Sequence, residues 1–257
     1  MDLFTGVGVA LVTLLDDTGH VDAAATGSLA ADLASRGMQA VLACGTTGEA
    51  GALTDAERVD VIRAVRDALP ADVQVLAGTG ATDPGHAAEL TRAAVGAGAD
   101  AVLAWPPPRS HDLAGYFGTL GEAADGRPVL GYHIPWISSP GIPVSELAGL
   151  PIAGLKDSSG DPDRLLAEVA HYPGRTYVGS SAVLALAGPL GGAGAILAVA
   201  NVEPELCIAA FGGDAKAQGQ LTDVHLAVRE GGVPVLKQLL AERSGTVPLS
   251  RLTKQAG

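Results

Sequence analysis

The run Ile152, Ala153, Gly154, Leu155 stops at Lys156, and Asp157, Ser158, Ser159 and Gly160 then read as a turn. A lysine that ends an apolar strand has two readings. One is a strand-end cation, paired with a carboxylate or turned to solvent. The other is a nucleophile. Inside apolar walls the ammonium loses hydration, its pKa falls, and the neutral amine can attack a ketone to give an iminium. The iminium draws electrons and stabilises the enamine formed when a neighbouring C–C bond breaks or forms. Two further stretches suit that chemistry. Tyr132 ends another apolar run and offers a phenol for the proton transfers of carbinolamine formation. The stretch Gly45-Thr46-Thr47-Gly48-Glu49 offers hydroxyls and loop N–H groups at a helix entrance, able to hold a carboxylate without a formal positive charge. Each has a plainer alternative: a core aromatic with a satisfied hydroxyl, and an ordinary strand-to-helix turn.

These residues need a frame that brings them together. Eight apolar runs, at 7–14, 40–43, 73–77, 101–104, 129–133, 152–156, 176–179 and 195–199, alternate with helical patterns at 22–36, 55–68, 85–97, 112–124, 145–150, 161–170 and 182–190. Thr54 with Glu57 three residues on reads as a capping box, and Thr82 or Asp83 before Pro84 starts the next helix. Strict alternation of near-continuous apolar strands with helices means a parallel sheet covered by helices. Eight such units over about 200 residues predict a TIM (β/α)8 barrel. The barrel is assigned to residues 1–213, and a short C-terminal helical extension to 214–257, with helical patterns at 203–211, 215–229 and 233–243. The rival is an open doubly wound sheet, but "GTGATDPG" at 78–85 lacks the third glycine of a dinucleotide loop.

In a barrel, chemistry gathers at the C-terminal ends of the strands. The threonine loop, the segments 105–111 and 132–136, Lys156, Gly179-Ser180-Ser181 and the segment 194–201 should therefore share one mouth. Ser138, Ser139, Ser180 and Ser181 supply hydroxyls for a polyhydroxylated partner. His133 follows Tyr132, so its side chain should point outward to the helices. Glu49 reads as a buried carboxylate supporting its loop, and Arg109 as a rim arginine.

Composition narrows the rest. The 257 residues are 47% hydrophobic but only 4% aromatic, so Ala, Val and Leu must fill the core. The net charge is −12, with no basic blocks, so no nucleic-acid partner is expected. The two cysteines, Cys44 and Cys207, form no CxxC and point to a reducing cytoplasm. The N-terminal apolar run lacks a basic flank and reads as a strand, not a signal peptide. No run is long enough for a membrane helix. No HxH or HExxH spacing points to a metal, and no cofactor is implied.

Four motifs in order carry a resemblance: "GTTGE" after the second strand, "YHIP" at the fifth, "GLKDSSGD" at the sixth and "GAILAVANVEP" at the eighth. Together they resemble the dihydrodipicolinate synthase/N-acetylneuraminate lyase family, whose members act on pyruvate or a 2-keto acid through a lysine imine. The resemblance implies that Lys156 forms the imine and that Tyr132 shuttles protons. It makes Thr46 a relay to that tyrosine and Thr47 the hydroxyl that binds the substrate carboxylate. Gly45 and Gly48 would shape that loop, and the Ile196 backbone would border the imine. It further implies a homo-oligomer, dimer or tetramer. Two features depart from the synthases. Pro106, Pro107, Pro108 and Arg109 stand where a second tyrosine is expected, and Trp136, Ile137, Ser138 and Ser139 contain no arginine for a second carboxylate. The expected activity is therefore an aldolase or lyase of the 2-keto-3-deoxy sugar acid type, splitting or forming its substrate from pyruvate and an aldehyde. The alternatives are dihydrodipicolinate synthase itself, a hydratase-aldolase or dehydratase on the same scaffold, and a non-catalytic barrel that only binds a keto acid.

Overall fold

Each apolar run becomes a strand of one closed parallel sheet. The computed structural model describes residues 2–252. Its strands are β1 (Gly6–Ala10), β2 (Ala40–Ala43), β3 (Gln74–Gly78), β4 (Ala101–Ala104), β5 (Val129–His133), β6 (Gly154–Asp157), β7 (Arg175–Val178) and β8 (Gly194–Leu197). They pair in chain order, and β8 pairs back onto β1, giving a TIM (β/α)8 barrel. The helices between them are α1 (Ala23–Ser35), α2 (Asp55–Ala68), α3 (Pro84–Gly96), α4 (Leu113–Ala123), α5 (Val144–Leu147), α6 (Pro162–His171) and α7 (Leu184–Ala187). After β8 come α8 (Pro204–Phe211), α9 (Ala215–Gln220) and α10 (Thr222–Ser244).

Strand period divides the core in two. Ala40 and Leu42, Leu103, Leu130 and Tyr132 face the barrel interior with Ile196 and Tyr177. Their neighbours Val41, Ala43, Val102, Val129 and Leu155 face the helices. Leu3 and Phe4, ahead of β1, join the inner cluster, with the Phe4 ring 4.7 Å from that of Tyr177. The Tyr177 hydroxyl donates to the Phe4 carbonyl at 2.6 Å.

The helix starts follow their side chains. Thr54 and Glu57 form the reciprocal capping box, Thr54 Oγ1 accepting from Glu57 N at 3.2 Å and Glu57 Oε2 from Thr54 N at 2.8 Å. Asp83, rather than Thr82, caps α3 by accepting from His86 N at 2.7 Å.

β1 and the stretch at 182–190 differ from the sequence expectation. β1 ends at Ala10 because the Val12 N–H leaves the ladder and donates to Asn201 Oδ1 at 3.1 Å. Asn201 also donates to the Ala10 carbonyl at 2.8 Å, so the asparagine of the eighth motif pins β1 to the turn after β8. The stretch at 182–190 opens as a single 3-10 turn, Ser181–Val183, before α7. At the C-terminus the helical run breaks at Gly232 (φ 65, ψ −155), between the two helical patterns expected at 215–229 and 233–243; that conformation is closed to side-chain-bearing residues.

Candidate active site

Strand register brings the two reactive groups together. Tyr132 on β5 pairs with Lys156 on β6. Both sit at inward positions, since Leu155 packs in the outer layer and Asp157 meets Arg164 of α6. The Lys156 ammonium position lies 4.5 Å from the centre of the Tyr132 ring. Lys156 is only 4% exposed, and burial alone pulls its pKa down to about 7, with no carboxylate partner among the described residues. A cation over an aromatic face gains about 1–2 kcal/mol. Loss of hydration costs a buried ion several. Desolvation therefore wins, and near neutral pH a large share of the lysine is a free amine.

Burial pushes the Tyr132 phenol up to about 12, opposed by hydrogen bonds from Ser158 and Thr46. Ser158 Oγ lies 3.1 Å from the phenol oxygen. The phenol is thus protonated at neutral pH and already hydrogen-bonded to two hydroxyls. His133, its neighbour, points outward as expected. Its Nδ1 accepts from Ile142 N at 3.0 Å, and burial holds its pKa down near 4.

The two groups open into a cavity of about 280 Å³ at the strand ends. Thr46, Thr47, Ser180 and Ile196 line it with Lys156 and Tyr132. Gly45 and Gly48 lie in the loop beneath. A Cβ at Gly48 would stand 3.1 Å from the Leu11 carbonyl oxygen, and the Gly48 carbonyl accepts from Thr13 Oγ1 at 2.7 Å. Trp136, 65% exposed, sits at the mouth.

Other candidates lie elsewhere. Ser138 is buried and donates to the Pro106 carbonyl, so its hydroxyl is already used. Neither Ser139 nor Arg109 lines the cavity; the Arg109 N–H donates to the Ser139 carbonyl at 2.8 Å, closing one loop on another. Ser181 lines the cavity, but its hydroxyl pairs with His225 Nδ1 at 2.8 Å. Among the lining residues to which sequence reasoning gave no site role are Ser158, and His225 and Arg229 from α10. Arg229 is an exposed cation at the rim, a position assigned in the sequence to Arg109 or to nothing. His225 and Arg229 stand one turn apart, a spacing that puts both on one face of α10.

With this geometry the comparisons with known proteins agree. The dihydrodipicolinate synthetase family model matches residues 3–257. The chain belongs to this family. A 4-hydroxy-tetrahydrodipicolinate synthase of Thioalkalivibrio sulfidiphilus is 35% identical over 98% of this chain and 94% of its own. An uncharacterized DapA-like lyase of Chloroflexus aurantiacus is 34% identical over 89% of this chain and 82% of its own. The chloride-inhibited dihydrodipicolinate synthase of Acinetobacter baumannii, solved with pyruvate, has a TM-score of 0.85 at 26% identity, covering 98% of this chain and 95% of its own.

One glycine keeps the lysine pocket open. A Cβ at Gly179 would overlap Ser158 Oγ and stand 2.9 Å from Lys156 Cε. Gly179→Ala should displace Ser158 from Tyr132 and crowd the amine. The expected stability loss is about 1–3 kcal/mol, the usual cost of overpacking. The reactivity of the Lys156 amine should fall about tenfold or more, as a misplaced reacting group requires. Gly118→Ala in α4, where a Cβ meets nothing within 4 Å, should instead be neutral or stabilising. Thermal midpoints and single-turnover rates of the two variants check this; equal behaviour would refute the crowding argument.

Proposed function

We propose that the protein is a class I aldolase that joins pyruvate to an aldehyde, or splits the resulting 2-keto-3-deoxy acid, through an imine on Lys156. Family membership supports a carbon–carbon lyase acting on a keto acid. The observation that carries the finer reading is the buried Lys156, without a counter-ion among the described residues, in register with Tyr132.

The roles follow from the chemistry. The Lys156 nitrogen pair attacks the keto carbon of pyruvate, and the carbonyl pair moves to oxygen. A proton passes from the nitrogen to that oxygen, and Tyr132 gives the second as water leaves, leaving the protonated imine and a phenolate. That phenolate takes a proton from the methyl carbon to give the enamine, which attacks the aldehyde carbonyl as the phenol returns the proton to the aldehyde oxygen. Water then returns the amine and releases the product. Thr47 and the loop N–H groups of 45–48 hold the carboxylate, and Thr46 and Ser158 orient the phenol. Ser180 offers a hydroxyl to the aldehyde portion, whereas that of Ser159 is spent on Asp157 at 2.8 Å. A barrel that only binds a keto acid has no use for a depressed lysine, so turnover separates that alternative.

Arg229 favours a second reading, a synthase whose aldehyde partner bears a carboxylate, and the synthase relatives agree with it. The first reading is preferred. No cation stands in the segment 136–139 that follows Tyr132, and Arg229 is exposed, where an ion pair is worth about 1 kcal/mol at most. Condensation of pyruvate with glyceraldehyde should therefore exceed that with aspartate semialdehyde by about tenfold in kcat/KM. A preference for the semialdehyde that disappears in Arg229→Ala would establish the synthase instead.

A further inference from the structure

We infer that Glu49 and Lys237 are positioning residues that set the pose of Thr46 and Thr47 through a strap made by the chain's C-terminal segment; the expected effect on substrate rests on the imine reading above.

The threonine loop is a closed turn. Glu49 N donates to the Thr46 carbonyl at 3.1 Å, and Ala50 N to the Gly45 carbonyl at 3.2 Å. Its two flanks, Cys44 (φ 51) and Glu49 (φ 57), are left-handed without being glycine. That backbone is unfavourable for a residue with a Cβ and persists only where the surroundings impose it. Thr46 and Thr47 line the cavity, whereas the Glu49 side chain is absent from its lining and is 2% exposed among the helices.

The surroundings that hold it come from the far end of the chain. Glu49 Oε1 forms an ion pair with the Lys237 ammonium, itself 1% exposed. Glu49 Oε2 accepts from Ser250 Oγ at 2.9 Å, Arg251 N at 2.7 Å and Leu252 N at 3.1 Å. Lys237 also donates to the Leu249 carbonyl at 2.8 Å. Arg251 then fastens the strap to the start of α2, donating to Glu57 Oε1 at 2.8 Å and to the Ala52 carbonyl at 3.1 Å. Residues 249–252 thus hold Glu49 itself and the chain that follows it into α2. Lys237 lies in the part of α10 beyond the break at Gly232, whereas His225 and Arg229 at the rim lie before it. The strap therefore anchors the substrate-facing loop to the later of these two helical segments.

The chemistry of the pair makes its replacement informative. A carboxylate accepts on both oxygens, whereas Glu49→Gln must turn an NH2 toward either Lys237 or the strap donors. Lys237→Met leaves the carboxylate buried with no cation. Each single variant should raise the pyruvate KM of imine trapping about tenfold, with the rate at saturating pyruvate within about threefold of the parent. Amide exchange at 46–49 should rise about tenfold while β2 and β3 keep their protection. The double variant Glu49→Gln/Lys237→Met should be no worse than the worse single, because the two act as one unit. Should the single variants fail to fold, Arg251→Gln loosens the strap and leaves the Glu49 carboxylate paired; its KM should rise about threefold. An unchanged KM and unchanged loop exchange, with only a lower thermal midpoint, would overturn the inference by making the pair a plain fold contact. Additive losses would overturn the coupling. Parent protein that traps no pyruvate would sink the imine reading, and loop exchange alone would then decide the role of the pair.

Discussion

Pyruvate and borohydride together should add one reduced pyruvyl group to the protein, and peptide mapping should find it on Lys156. Lys237 is buried against Glu49 and presents no free amine to the cavity, so it stays unlabelled. Trapping should weaken as the pH falls below about 7, where the Lys156 amine takes up its proton and loses its nucleophilic pair. Lys156→Ala should remove turnover by about 10⁵-fold or more, the scale seen when a covalent nucleophile is lost. Lys156→Arg should fail as badly, since a guanidinium stays protonated at any accessible pH. Label on another lysine, or none, would end the imine mechanism for this chain.

Tyr132→Phe removes one oxygen at nearly constant volume from a buried site. Turnover should drop by about 10²–10⁴, the usual worth of a general acid–base group. Trapping should slow in parallel, because loss of water from the carbinolamine needs a proton donor. Pyruvate binding should persist, since Thr47 and the loop amides are untouched. Stability should change little: Ser158 loses a partner but borders the cavity, where water can replace it. Turnover within a few-fold of the parent would assign the proton to another group, with Ser158 the first to test.

Periodicity carried most of the frame. Eight apolar runs alternating with helices leave few closed arrangements, and inward–outward alternation along β5 and β6 already puts Tyr132 and Lys156 on one side and His133 on the other. Thr46, Thr47, Ser180 and Ile196 could be read as neighbours because strand ends share one mouth. Contacts set by loop geometry were not legible. Ser138 is lost to the Pro106 carbonyl, 32 residues away in sequence. His225 and Arg229 sit one turn apart on a late helix, and no local signal says that this helix reaches the mouth. Ser158 looks like any turn serine until the strand register sets it beside the phenol. Glu49 was read correctly as a buried support, but its partner Lys237 lies nearly 190 positions on (237 − 49 = 188).

The ring closes between strands from opposite ends of the chain. β1 pairs with β8, and Asn201 bridges 189 residues to Val12. Closure by such distant pairing is slow, because chain entropy is lost before the contacts reward it. Until it happens, β1 and β8 are bare edges, open to pairing with another chain. The site depends on the same event, since its lining comes from residues as far apart as Thr46 and Arg229. A partly folded chain is therefore both catalytically silent and prone to association. Dilute refolding should favour recovery, and the return of the cavity that residues from Thr46 to Arg229 line together would time the moment the last strand docks.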